Sequence, residues 1–540
     1  MKKIYIMTAV LAMMVLAGCY DDKGNYDYHE LEAVSIDTTS TGIQSEYAIM
    51  RYDTLHLSPN VYFEGELVGE GKTFPLDYEW TIYSATTGAG SNTTVDVIGT
   101  TRELDAVITR TGGNYIVQLV VTNRNDGIKQ FLRLPVAVSE VFDGGWMVFY
   151  ERADQPGYSD LALIYNPWTK LNVNYNRSYT NLYEVTNGEP LQGHPIRCLD
   201  IAVSLASGNN YVGLCTDYTL VGVSENGIEK ALEFNDFFHE PPATMHPTWY
   251  GEHGSGVMSG QSSEVLFNDN QIYTNTYSFS ATEGRTTKFG VAKFTDGIGE
   301  LAPWNAEVPN TLNYGIVVYD QTYHKFRYAG YNSAQLEEFA PQDLNIAAFD
   351  INNTGMELLM GDWGRGMSQG AGLRPFDYLL MQKGNERYLA VTNFASTYPT
   401  DTNIGMGLYS MNSLCPGILD ATSISASHVG SFIYYTSGSK LYIFAYDSQQ
   451  PATEAWTAPV GEEITCVRIM KYYHGTIYSY GMVPTSDRLV HIATWNEGKQ
   501  EGRVYQYLIN PASGILDTTN HYEYAVPGKV KDMAWKFSMQ

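Results

Sequence analysis

Cysteine is scarce in this chain, and closely spaced cysteine is absent: five occur in 540 residues, at 19, 198, 215, 415 and 466, with no CxxC pair and no Cys/His cluster. That pattern excludes the usual ligand spacings of a zinc site. Cys198 and Cys215 fall in adjacent predicted strands, but spacing alone carries no disulfide geometry, and buried free thiols are expected at the four positions after Cys19. Basic residues are also few, with 33 Lys and Arg against 59 Asp and Glu and a formal charge of −26. A field of that sign works against nucleic acid and anionic lipid as partners. No Gly-x-Ser-x-Gly elbow, His-Glu-x-x-His helix, phosphate loop or EF-hand spacing is present, so no catalytic residue, metal or cofactor is assigned. Carboxylates are abundant, yet sequence cannot show which of them approach within about 5 to 10 Å, as hydrolytic acid–base chemistry requires.

What the chain has in quantity is tyrosine and glycine, 42 and 50 residues, with charged residues at only 17%. This is the composition of many strands joined by many turns. In residues 431–447, Phe432-Ile433-Tyr434-Tyr435 and Leu441-Tyr442-Ile443-Phe444 flank Ser437-Gly438-Ser439, a hairpin signature. Similar hairpins begin near Trp146, Tyr211, Glu264, Gly315, Asp377, Ser431 and either Thr476 or Leu489. The starts lie about 51 to 65 residues apart (about 45 for the last if it is Thr476), the period of four-stranded propeller blades. Apolar runs at 199–206, 424–429 and 467–473 occupy the place of an innermost strand before their hairpins. The Trp146 hairpin lacks such a run, while 529–536 looks like one with no hairpin after it. Ring closure accounts for both, since a C-terminal strand completing the first blade removes two exposed edges. The expected fold is therefore all-β, with a seven-bladed β-propeller over residues 141–540 closed by the C-terminal strand. Counts of five, six or eight stay open, because the last unit has two registers.

The chain opens with Lys2 and Lys3 ahead of an apolar run over 4–16, too short to span a bilayer and of the length of a secretory h-region. It ends in Leu16-Ala17-Gly18-Cys19, which resembles the lipobox of bacterial lipoproteins. The resemblance implies cleavage before Cys19 and lipid on its sulfur and amine, with 1–18 as signal peptide and 19–28 as a polar tether. Loss of Lys2 and Lys3 and of no acid takes the formal charge from −26 to −28. No later run of about 18 apolar residues offers a second membrane element, so the lipid is the expected membrane contact. Asp21 and Asp22 resemble the acidic signal that sends lipoproteins of Bacteroidota-type bacteria to the cell surface.

Residues 29–140 read as a first β-domain. Its clearest strand is 113–123, where Tyr115, Val117, Leu119 and Val121 alternate onto one face, as packing against a second sheet requires. The pattern Gly-x-Tyr-x-Val-x-Leu-x-Val-x-Asn resembles the late strand of PKD-like, immunoglobulin-type sandwiches, with Trp80 as the tryptophan of an earlier core strand. The acidic Gly-Asp-Gly loop common after that tryptophan is missing, and Tyr83-Ser84-Ala85 stands there, so the domain is read as a spacer. Lipobox, PKD-like domain and large β-domain together resemble the PKD-like family of Bacteroidota surface lipoproteins. That resemblance implies an outer-membrane protein beside a Sus-type uptake system, with a TonB-dependent transporter and its lid lipoprotein as partners. It brings no catalytic residues.

Two segments, 241–254 and 361–366, set large aromatics among Pro and Gly outside any period-2 pattern and read as loops. They supply the candidate ligand-binding residues His246, Trp249, Tyr250, Trp363 and Arg365: aromatic faces stack on sugars or peptide side chains, and Arg, His and Asp bond hydroxyls or carboxylates. Gap-filling between blades is the competing role for Trp249 and Trp363, and Trp168 is a weaker third candidate. The leading function is a binding or accessory component of a nutrient (glycan or peptide) uptake complex. An exported propeller hydrolase of polysaccharide or peptide, and a structural partner of a TonB-dependent transporter without its own ligand, stand as alternatives.

The anchor is testable in cells. Cys19→Ala should abolish incorporation of labelled fatty acid and leave unprocessed or soluble protein, and unchanged labelling would refute the lipobox. Replacing Asp21 and Asp22 with Ala should reduce protease accessibility on intact cells.

Overall fold

The computed structural model describes residues 34–536, apart from 86–93, 202–210, 253–263, 308–313, 472–484 and shorter gaps. Cys19, Asp21, Asp22, the signal peptide and the tether lie outside the described residues. The chain divides into two compact units, with the boundary between Val141 and Phe142. Among the described residues no helix is long and apolar enough to cross a membrane.

The first unit is an immunoglobulin-like sandwich. Its larger sheet runs Tyr47–Met50, Lys129–Ser139, Gly113–Asn123, Leu76–Ser84, Asp96–Gly99. Opposite it are the sheet formed by Val34–Asp37, Asn60–Phe63 and Glu66–Leu67, and the pair Thr54–Leu57 with Leu104–Val107. Alternation in Gly113–Asn123 does what the pattern predicts: Tyr115, Val117, Leu119 and Val121 enter one core with Trp80, Leu55 and Val61. Trp80 is fully buried, and its indole N–H donates to the Thr101 carbonyl at 2.9 Å, so its one polar atom carries no desolvation penalty.

The second unit is a propeller. Seven antiparallel sheets, here blades 1 to 7, follow in chain order among the described residues, beside one isolated two-stranded pair. Their innermost strands are Gly528–Lys536, Pro195–Ile201, Pro247–Glu252, Leu301–Asn305, Glu357–Gln369, Ile424–Ala426 and Glu463–Ile469. Each of these packs against the next, and the last returns to the first, so the seven form a closed cycle around the axis. In blade 6, Ile433–Ser437 and Lys440–Phe444 make the hairpin expected from Ser437-Gly438-Ser439, with Gly438 at φ +56° in the left-handed region that the turn needs. The innermost strands of blades 2, 6 and 7 begin or end several residues earlier than their apolar runs suggest.

Closure is direct. Gly528–Lys536 pairs antiparallel with Gly145–Arg152, in register from Trp146 opposite Trp535 to Tyr150 opposite Val530, with one irregularity beside Phe149. Val530 and Met533 then join Trp146 and Val148 in a core shared with Leu489, Ala493 and Val504 of blade 7. Burying each of these two side chains contributes about 1.5 to 3 kcal/mol. The four cysteines after Cys19 are free and buried.

Deleting 528–540 should therefore leave blade 1 without its inner strand and expose two edges. Loss of the single cooperative thermal transition, with aggregation on gel filtration, is the expected outcome; a truncated protein that melts like the full chain would contradict closure.

Candidate functional site

The site is built where the innermost strands end. In a propeller these strands run the same way along the axis, so the connections that follow them leave from one mouth. Along these inner strands, and just past those of blades 4 and 7, charged residues interrupt the apolar pattern and meet partners from other blades. Arg197 of blade 2 places Nη1 2.6 Å from Glu307 Oε1, just beyond the inner strand of blade 4, and Nε 3.7 Å from Asp532 Oδ2 of blade 1. Asp532 also receives Arg468 Nη2 of blade 7 at 3.0 Å and the Cys198 amide at 3.2 Å. Lys471, just past the inner strand of blade 7, lies 2.6 Å from Asp362 Oδ2 of blade 5 and donates to the carbonyls of Trp363 and Ala426. Asp362 further accepts from the Ser425 hydroxyl at 3.0 Å and the Ala426 amide at 2.8 Å.

Trp249 and Trp363 each have a cation on one face. The Arg197 guanidinium sits 4.8 Å from the Trp249 ring centroid, and Lys471 Nζ sits 4.5 Å from that of Trp363. The Trp249 indole N–H donates to Asn305 Oδ1 at 2.7 Å, and the His428 ring meets Trp363 edge-on at 5.3 Å. Through Trp249 the polar assembly reaches blade 3, and so touches all seven blades.

The structure corrects the loop assignment. Trp249 and Tyr250 lie in the strand Pro247–Glu252, and Trp363 and Arg365 in Glu357–Gln369. Trp249 and Trp363 are half-buried, and Arg365 is exposed with Nη1 donating to Ser431 Oγ. Tyr250 differs: fully buried, it packs with Tyr211 and Leu266 and donates to the buried Glu264 carboxylate. His246 precedes the inner strand of blade 3, at the opposite end from the mouth, with Nδ1 3.2 Å from Asp269. Trp168 packs edge-on against Tyr522 at 4.6 Å in the core between blades 1 and 7. Arg197, Arg468, Lys471, Glu307, Asp377 and Asp532 escaped the sequence reading. Their one local signal was a charge inside an apolar strand, as in Val467-Arg468-Ile469.

Burial and pairing set the charges. Burial opposes ionisation of Asp362, but Lys471, Arg468 and the hydrogen bonds it accepts outweigh this and hold its carboxyl below the usual carboxylate range. Burial depresses Lys471 despite its partner, whereas Glu307 and Asp532 keep the Arg197 guanidinium firmly protonated. Asp377 departs in the other direction. It lies on Gly372–Lys383 opposite Trp363 and is 5% exposed. Burial, then the nearby charges of Glu307 and Asp362, push its carboxyl well above the ordinary range. Among the described residues no group of three or more His, Cys, Asp or Glu is spaced to hold a metal ion.

Residues 19–195 match the PKD-like family. The match covers less than half of the chain: it includes the sandwich, which is a PKD-like domain, and runs on through the outer strands of blade 1. No curated protein matches the chain. Among solved structures, it is similar to a quinoprotein alcohol dehydrogenase-like protein from Bacteroides thetaiotaomicron, at 12% identity over 94% of this chain and 100% of that one, with a TM-score of 0.40. It is also similar to a dihydro-heme d1 dehydrogenase (9% identity, 77% and 72% of the two chains, TM-score 0.39). An apocarotenoid oxygenase from Synechocystis gives 8% identity over 87% and 94%, with a TM-score of 0.37. Likenesses at this level carry no argument about ligand or reaction, and the propeller rests on its own strand pairing.

Removing one member of the Asp362–Lys471 pair strands its partner. Asp362→Asn should cost about 3 to 5 kcal/mol, and Asp362→Asn with Lys471→Met less than the sum of the two single changes, read by urea unfolding. Because the Asp362 carboxyl is depressed in the folded state, its contribution is complete at neutral pH and is lost as pH falls below about 4, through the folded value. The parent should lose stability in that window faster than Asp362→Asn.

Proposed function

We propose that the propeller mouth is a ligand-binding surface, and that the protein is a lipid-anchored accessory component of an outer-membrane nutrient uptake complex. One observation carries the binding role: the Trp249 and Trp363 rings each rest against a cation of a network of alternating charge that joins the inner strands. Structural packing alone does not call for three cations and three carboxylates paired across the blades, because apolar side chains of similar volume fill such a space with less desolvation cost. Polar groups held in place by neighbours are the arrangement that recognises a polar ligand without reorganising. The PKD-like domain ahead of the propeller serves as a spacer. Lipidation at Cys19, surface export through Asp21 and Asp22, and partnership with a TonB-dependent transporter and its lid lipoprotein belong to the same proposal, supported by the lipobox resemblance and the PKD-like match.

The test is titration of the purified mature chain with a panel of glycan oligomers and short peptides. Trp249→Ala or Trp363→Ala should weaken any hit roughly tenfold to a hundredfold, about 1 to 3 kcal/mol. Binding that survives both changes would move the site away from the mouth. Turnover of a glycan or peptide would favour the hydrolase reading, and stoichiometric co-purification with a transporter with no ligand bound would favour the structural one.

A further inference from the structure

Arg197, Arg468 and Lys471 each have a carboxylate partner from another blade. Lys536 does not. It is the last residue of the inner strand of blade 1, at the end from which the connections leave, and its side chain is 0% exposed. Its Nζ is closed to solvent and has no hydrogen-bond partner among the described residues. Buried charges are otherwise paired or hydrogen-bonded, because an unmet one keeps its full desolvation cost. With 59 acids against 33 basic residues in the chain, the lack does not come from a shortage of carboxylates.

Register and alternation place its neighbours. Gly145 stands opposite Lys536 in the ladder with Gly145–Arg152 and is the last pair at that end. Lys536 follows Asp532 by four residues with no irregularity between them, so both face the side on which blade 2 delivers its Cys198 amide to Asp532. Opposed residues share a face, and on that face Gly145 brings no side chain: a Cβ there would come within 2.8 Å of Tyr165 Cε1 and 3.0 Å of the Ile164 carbonyl. The Tyr165 ring therefore lies over Gly145, beside Lys536. It meets the Tyr179 ring edge-on at 5.9 Å and carries Lys170 Nζ 5.4 Å from its centroid. What this corner of blade 1 presents is aromatic surface and positive charge.

We propose that Lys536 anchors a subsite for a ligand carboxylate at the mouth-side edge of blade 1. This rests on the reading of the mouth as a binding surface and narrows its ligand to an acidic one, a uronic-acid oligomer or a peptide with a free C-terminal carboxylate. Lys536 Nζ donates charge-assisted hydrogen bonds to the carboxylate oxygens, and the Tyr165 ring covers the carbon that bears the group. Because Nζ is closed to solvent, the carboxylate enters when this edge opens locally, and the last pair of a ladder is where opening costs least. A formal charge of −26 repels anions at long range, so selection for the carboxylate comes from contact and not from steering.

The experiment uses probe pairs that differ in that one charge: oligogalacturonate against its methyl ester, and acetyl-Ala-Tyr-Ala against its amide. Calorimetry on the mature chain should show the acid of at least one pair binding at least tenfold tighter, and which pair responds tells glycan from peptide. Lys536→Met and Lys536→Gln should bring that acid down to the affinity of its neutral partner. Without ligand, Lys536→Met should melt at or above the parent, since no protein partner is lost, and the acid should raise the midpoint of the parent alone. Three results would overturn the subsite: equal affinity within both pairs, as when Nζ holds only water; a preference that survives both substitutions; or a lower midpoint for both variants. If the two members of a pair bind alike and Trp249→Ala weakens both, the mouth stands as the binding surface and only the carboxylate subsite falls. Absence of binding by every probe would end both.

Discussion

The carboxylate of Asp532 is the point on which the propeller and its mouth jointly depend. It sits on the strand that the C-terminus contributes to blade 1, and it receives Arg468 from blade 7 and the Cys198 amide from blade 2, with Arg197 of blade 2 at 3.7 Å. Sheet pairing alone would close the ring. Placing an acid on the closing strand makes closure electrostatic as well, because without it two largely buried guanidinium groups face each other with one acceptor fewer. The coupling runs both ways: the site forms only in a closed ring, and the ring gains specificity of register from the site. A one-residue slip of 528–536 against Gly145–Arg152 would turn Asp532 away from the axis and Met533 out of the core it shares with blade 7.

Crowding at the axis explains why the inner strands of blades 3 and 5 looked like loops. Glycine inside a run ordinarily signals a turn, and Gly-Asp-Trp-Gly-Arg-Gly signals it repeatedly. Here it signals close approach. A Cβ at Gly364 would come within 2.8 Å of the Ala426 side chain and the Ser427 carbonyl of blade 6, and one at Gly251 within 2.0 Å of Asn305 Oδ1 of blade 4. Inner strands lie nearest the axis, where adjacent blades have least room, so small residues are needed in an extended backbone. Alternation along the strand sends Tyr250, next to Trp249, into the core, where it is fully buried.

Local signals were therefore reliable where packing is local. The Tyr-rich hairpin of blade 6, the alternating strand 113–123 with Trp80 beneath it, and the orphan strand at the C-terminus could all be read from neighbouring residues. Pairings such as Arg197 with Glu307 or Lys471 with Asp362 span more than a hundred residues, and nothing near Arg197 in the chain announces its partner. Trp249, Trp363 and Arg365 lie in inner strands and not in loops, because the glycines beside them mark close approach between blades and not a turn.

The arrangement of those residues also narrows what the mouth can recognise. A tryptophan with both faces open is a platform for a sugar ring, but Trp249 and Trp363 each have one face taken by a protein cation. A ring brought against the Trp249 indole would meet a π-system already polarised by Arg197, whose positive charge draws electron density away from the opposite face. Such a face is a poorer partner for a ligand cation and a better one for an electron-rich ring or a carbonyl. Positive charge on a ligand is thus disfavoured at that indole.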